Sequence, residues 1–110
     1  MDDLTNEQKH LLVSMYKEVL SRHPALSMEA SNYFSDSNEV RDLFLPDLSE
    51  SYVADLCFAL SRKGYIICHP GDDLANDIKL ADSTIVYMEG RFLRNLKAVV
   101  KYLSDLKKIF

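Results

Sequence analysis

Tryptophan is absent from this chain, and glycine and proline occur only three times each. Three widely spaced glycines leave no phosphate-cradling loop, and no Gly/Ser-rich tract marks a linker at which the chain would divide. The only cysteines, Cys57 and Cys68, form no C-x-x-C pair, and His10, His23 and His69 form no H-x-x-x-H pair. A zinc site on Cys57, Cys68 and His69 would need a fourth ligand that the spacing does not supply. Both thiols are read as reduced, half-buried packing groups. No apolar run approaches a membrane span, and the opening MDDLTNEQ is acidic where a secretory signal would be basic and then apolar. A cytoplasmic protein is expected. There is no nucleophile elbow, and each histidine has an ordinary role: His10 facing solvent, His23 at a helix end, His69 leading into a turn. The six tyrosines and five phenylalanines fall at core-like spacing rather than as a platform for stacking bases. These absences predict a non-enzymatic protein with no metal, cofactor or small-molecule ligand.

What is present is enough for one core. At 110 residues, 47% hydrophobic and 27% charged, the chain is expected to fold as a single domain over 1–110. The net charge of −4 is unevenly spread. Residues 1–81 hold seven lysines and arginines against fourteen aspartates and glutamates, a net of −7. Residues 82–110 hold six against three, a net of +3. An acidic body is followed by a basic C-terminal segment.

Thr5-Asn6-Glu7-Gln8 is a capping-box pattern, and Leu12, Met15, Tyr16, Val19 and Leu20 continue from it at helical spacing until His23-Pro24. Met28, Ala30, Tyr33 and Phe34 predict about two turns of a second helix. Val40, Leu43, Phe44 and Leu45 predict a short third one, packed on the core by Leu43 and Phe44 and stopped by Pro46.

The chain is organised around 49–80. Ser49 can cap a helix carrying Val53, Leu56 and Leu60 on one side, and Gly64 falls where that helix must stop. Tyr65 to Cys68 then read as a strand, Pro70 to Asp73 as a turn, and Ile78 to Leu80 as a second strand. Helix, glycine stop and hairpin in that order predict a mainly α fold with a small β-hairpin, a winged helix-turn-helix. One long helix over 82–110 should follow it, capped by Asp82 or Ser83, with Gly90 the place for any bend. Its apolar positions approach a heptad seam through Phe92, Leu96, Val99, Leu103, Leu106 and Phe110. The stripe either folds back over Leu12, Val19 and Leu20 or pairs with a second copy, and a homodimer is the expectation.

Asp55-Leu56 through Gly64-Tyr65-Ile66, followed by Leu80-Ala81-Asp82-Ser83-Thr84-Ile85-Val86-Tyr87-Met88, resemble small winged-helix proteins of Gram-positive phages and mobile elements, the YjcQ-like family. Ala81 stands where that family has threonine, and Thr84 where it has glycine. The resemblance covers roughly 49–105 and implies a fold and a phage-like setting, with no activity attached.

Two functions follow from such a scaffold. In the first, the 49–63 helix enters duplex DNA and the wing touches phosphate, with Ser51, Tyr52, Arg62, Lys63 and Lys79 as the contacts. In the second, an acidic face of Glu50, Asp55, Asp72, Asp73 and Asp77 docks onto a basic host protein, such as a nucleic-acid-binding machine that it would inhibit. Carboxylates facing phosphate forfeit counterion release and add repulsion, so the sequence favours protein binding.

Overall fold

The computed structural model describes residues 1–107. Helix α1 (Asn6–Arg22) begins at the capping box: the Thr5 hydroxyl accepts from the Gln8 amide at 3.1 Å, and the Gln8 side chain accepts from the Thr5 amide at 3.0 Å. Leu11, Leu12, Val13, Met15, Tyr16 and Val19 are all fully buried. Successive residues turn about 100° around a helix, so this run buries α1 on most of its circumference. His10 is buried with it, which corrects the expectation of a solvent-facing side chain. Burial, and then Lys107, pushes its pKa below the usual histidine value.

After α1 the chain departs from the two-turn helix expected there. α2 (Met28–Ser31) is a single turn, and Phe34 lies instead in a strand, β1 (Phe34–Asp36), with Tyr33 exposed beside it. The cause is distant in sequence. Asn32 donates from Nδ2 to the Leu80 carbonyl at 2.9 Å and accepts from the Leu80 amide at 2.8 Å, adding a side-chain rung beside the sheet. α3 (Ser37–Phe44) is capped by the Asp36 carboxylate. Val40 is its buried anchor and Phe44 meets the Phe34 ring edge-on at 6.0 Å, but Leu43 points outward, contrary to expectation. Arg41 donates to the Leu48 and Pro46 carbonyls at 2.6 and 3.1 Å, holding the turn into the next helix.

That helix, α4 (Glu50–Arg62), starts at Ser49, whose hydroxyl accepts from the Tyr52 amide. It buries Val53, Leu56, Cys57 and Leu60 and ends before Gly64, whose φ of +84° suits only glycine without strain. β2 (Ile66–Gly71) and β3 (Leu74–Leu80) form an antiparallel hairpin, and β1 pairs with the other edge of β3, giving the order β1-β3-β2. Asp72 and Asp73 both take left-handed φ (55° and 62°), as a two-residue turn between twisted strands requires. Ile67 faces Lys79 but His69 faces Asn76, so β3 holds one extra residue against β2. That bulge is at Asp77, itself left-handed at 52°.

The expected long C-terminal helix is two helices. α5 (Asp82–Phe92) is followed by Leu93 and Arg94 in left-handed conformation, after which Asn95 accepts from the Ala98 amide and α6 (Leu96–Lys107) begins. Neither Asp82 nor Ser83 caps α5, and the break is not at Gly90, which lies inside α5. Two non-glycine residues in this region cost roughly 1–2 kcal/mol each. The reversal returns the chain to the body. Phe92, Val99, Leu103 and Leu106 become part of the molecule's own core, with Phe92 stacked on Tyr16 at 6.2 Å and edge-on to Tyr102 at 5.6 Å. The seam expected between two copies is therefore largely spent within one. Leu96 is off the core at 42% exposure, and Phe110 lies outside the described residues.

Leu93 is 79% exposed, so its side chain contributes little packing. Leu93→Gly is expected to raise stability by about 1 kcal/mol in urea unfolding, because it relieves the left-handed strain. A continuous helix would instead lose about 1 kcal/mol on the same change. Leu103→Ala should cost about 2–5 kcal/mol, as deletion of a core leucine does. A negligible loss would show that α6 does not dock on its own chain.

Candidate functional site

The polar side of α4 and the adjoining hairpin tip form an acidic, grooved surface. Ser51, Asp55 and Phe58 line one side of a groove, and Pro70, Asp73 and Leu74 line the other. The groove encloses about 700 Å³, with buried Ala54 at its base. Helical spacing explains the first wall. Ser51, Asp55 and Phe58 are separated by four and three residues, so they share the face opposite Val53, Leu56 and Leu60. The tight turn at Asp72-Asp73 explains the second, because it projects two adjacent carboxylates at the end of the hairpin. Asn76 secures that turn, donating from its side chain to the Gly71 carbonyl at 2.9 Å.

The acidic residues singled out from the sequence divide into two sets. Asp55 and Asp73 line the same groove, Asp55 from α4 and Asp73 from the hairpin turn; Asp72 stands exposed next to Asp73, and Glu50 is exposed in the first turn of α4. None of these four side chains makes an ion pair or hydrogen bond among the described residues. Asp77 does not line the groove. Its carboxylate accepts from the Tyr33 hydroxyl at 2.9 Å, tying the bulge of β3 to the residue before β1. Two side chains that sequence reading overlooked, Phe58 and Leu74, give the groove its apolar lining.

The residues considered for DNA contact are not gathered in one place. Ser51 lies in the acidic groove, whereas Arg62 is at the far end of α4, about 16 Å away along the axis at 1.5 Å per residue. Lys63 is engaged within the chain, donating to the Asp3 carbonyl at 2.6 Å and to Gln8 Oε1 at 3.2 Å. The Tyr52 hydroxyl donates to Glu7 at 2.5 Å. Lys79 is exposed on β3, opposite Ile67.

The Lys63 contacts belong to an N-terminal strap over the far end of α4, whereas the Tyr52 bond ties the first turn of α4 to α1. Tyr65 donates its hydroxyl proton to Asp3 at 2.6 Å. That bond holds the Asp3 carboxyl below its ordinary value and pushes the Tyr65 phenol up to about 12. Nothing local in the sequence announces the strap, since Asp3 and Tyr65 are 62 residues apart.

Neither thiol nor imidazole chemistry converges on the groove. Cys57 is buried, and burial with Cys68 nearby raises its thiol to about 12, far from the reactive thiolate form at neutral pH. Cys68 is half-buried, and both cysteines are free. His23 contacts the Leu26 carbonyl through Nδ1 at 3.0 Å, and His69 is exposed. Among the described residues, no three His, Cys, Asp or Glu side chains stand where they could hold a metal ion, and no helix is long and apolar enough to cross a membrane. The chain matches no family model, no curated protein and no solved structure.

Because the Asp3 pKa is depressed in the folded protein, the strap's contribution is complete above the ordinary aspartate pKa. It is lost as pH falls through the lower folded value. Tyr65→Phe should move the Asp3 titration back up toward the ordinary value in carboxyl-detected NMR. An unmoved Asp3 titration would show that the hydroxyl bond does not form in solution.

Proposed function

We propose that this chain is a winged-helix scaffold that acts without catalysis, binding a basic protein through the acidic groove between α4 and the hairpin. The scaffold reading is supported by the order of elements. A helix, then past the single turn of α2 a short strand, two helices joined through 45–49, and a hairpin whose second strand pairs back to the first strand follow the order of a winged helix-turn-helix. In that fold α4 takes the place of the recognition helix and the hairpin that of the wing.

The observation that carries the binding reading is the placement of Asp55 and Asp73 on opposite walls of one apolar-lined groove, with Asp72 and Glu50 beside them. A surface meant for phosphate gathers cations, since released counterions supply most of the affinity. Here the carboxylates are gathered and Lys63 is already engaged by the N-terminal strap. An arginine or lysine from a partner fits this groove through both its parts. The aliphatic stem covers Phe58 and Leu74, and the charged head reaches the two carboxylates. In the phage or mobile-element setting that the YjcQ-like resemblance implies, a suitable target is a host nucleic-acid-binding machine. Its cationic surface would be occupied and so inhibited. Duplex DNA is the competing ligand, favoured by the exposed position of α4 next to a hairpin.

The test pairs a capture with a gel shift. A basic protein captured from the native host should be retained by the wild type, and Asp55→Asn with Asp73→Asn should weaken it at least about tenfold, or ~1.4 kcal/mol. The wild type should not retard duplex DNA at moderate salt, whereas Asp72→Lys with Asp73→Lys should begin to. Wild-type retardation of DNA that falls steeply with salt would overturn the proposal in favour of a DNA-binding regulator.

A further inference from the structure

Away from the acidic groove, a cavity of about 430 Å³ lies where α1, α3 and α6 meet. Contacts at either end fix how these helices run past it. Lys107 acts on His10, early in α1, whereas Phe92, just before α6, stacks on Tyr16 further along, so α6 runs antiparallel to α1. Phe44 of α3 meets the Phe34 ring, and the Arg22 guanidinium lies over that same ring at 4.6 Å. α3 therefore reaches the cavity near the C-terminal end of α1, and the two ends of the cavity differ in chemistry. His10, Ser14, Ser104 and Lys107 line one end. Leu43, Phe44 and Val100 line the other, with Lys17 and Glu18 beside them and buried Leu103 between the two.

The first end offers positive charge and unused donors. Ser14 is only 6% exposed, yet its hydroxyl makes no hydrogen bond among the described residues. A hydroxyl held that deep is costly unless something supplies it with a partner. Lys107 makes no ion pair or hydrogen bond among the described residues either, and no carboxylate lines this end. Burial, and then Lys107, lowers the His10 pKa, while Glu7, which raises it, acts from outside the cavity. At the other end Lys17 and Glu18 offset each other, and Glu18 is 3.6 Å from Arg22. Charge selects at one end of the cavity and apolar surface at the other.

We propose that this cavity binds a medium-chain carboxylate, its head between Lys107 and Ser14 and its aliphatic chain against Leu103, Val100, Leu43 and Phe44. The head accepts from the Ser14 and Ser104 hydroxyls and pairs with the Lys107 ammonium, whose charge strengthens the set. His10 and Lys17 are about 10 Å apart along α1 at 1.5 Å per residue, room for an extended chain such as that of octanoate. The volume lies within the range of about 300–1,000 Å³ usual for small-molecule sites. An inorganic anion would satisfy the head end and leave the apolar end uncovered, and a neutral lipid would do the reverse. No motif announces this site in the sequence, because its walls come from three helices far apart in the chain. It is separate from the acidic groove and does not depend on what that groove binds.

Isothermal titration calorimetry of the full chain with octanoate, octanol and octylammonium tests the proposal. Octanoate should bind with one-to-one stoichiometry, octanol several-fold more weakly, and octylammonium not at all. Lys107→Glu should weaken octanoate roughly tenfold and leave octanol unchanged, whereas Lys107→Arg should retain octanoate binding. Val100→Trp fills the apolar end and should abolish binding of octanoate and octanol alike. Val100 is 45% exposed, so that variant should keep the wild-type circular dichroism melt. Val86→Trp, on the exposed face of α5 and outside the cavity, should leave both affinities as they are. A wild type that does not bind octanoate overturns the proposal. So does octanoate binding that is indifferent to Lys107→Glu, because the carboxylate would then not be recognised. Binding that survives Val100→Trp overturns it as well, because the ligand would sit elsewhere.

Discussion

The burial of α1 is the constraint on which the rest of the molecule depends. A helix carrying Leu11, Leu12, Val13, Met15, Tyr16 and Val19 in close succession spreads apolar groups over about 200° of its circumference, with His10 and Ser14 buried beyond them, and no single sheet or helix can cover it. The sheet and α3 pack from one direction, and α6 has to arrive from another. A straight helix from residue 82 onward would carry Val99 and Leu103 away from that core. The left-handed pair Leu93-Arg94 is the alternative, and its local strain is offset by the burial it permits, with Arg94 also bonded to Glu89 at 2.8 Å.

This arrangement decides which surfaces are left for partners. The inner side of α6 is consumed in cis, so only Leu96 and Val100 remain outward, where they join Leu43. α4 has its apolar side against the core and its polar side free, and the hairpin rises next to it. The acidic groove thus results from ordinary amphipathic packing combined with a turn made of two aspartates. The N-terminal strap adds a second asymmetry by binding Lys63 at one end of α4, while Glu50 and Asp55 toward the other end keep their carboxylates unpaired. Charge is distributed so that one end of the helix is available to a cation and the other is partly neutralised from within.

The parts legible in the sequence were those set by local chemistry. Thr5, Gln8, Ser49 and Gly64 act within three or four residues of themselves, and the hairpin signals at 65–80 are equally short-range. What escaped reading was set by distant contacts. β1 is only three residues long and depends on Asn32 reaching Leu80, 48 positions away. The break at Leu93 carries no glycine to mark it, and its one cue is Asn95, a residue that caps α6 but has many other uses. Leu43 resembles any core leucine until α6 is in place. The acidic residues were identifiable one by one, but their sharing of a groove with Phe58 and Leu74 follows only from the docking of the hairpin against α4. Asp77 was grouped with them by proximity in sequence, and the bulge turns it toward Tyr33 instead.

The most direct measurement of the central claim is an amide chemical-shift titration of the labelled protein with an arginine-rich peptide, and separately with a short DNA duplex. The account predicts that the peptide perturbs Ser51, Asp55, Phe58, Asp73 and Leu74 together, and that the duplex leaves them unmoved. Perturbations from the duplex centred on Arg62, Lys63 and Lys79, with the groove silent toward the peptide, would contradict it.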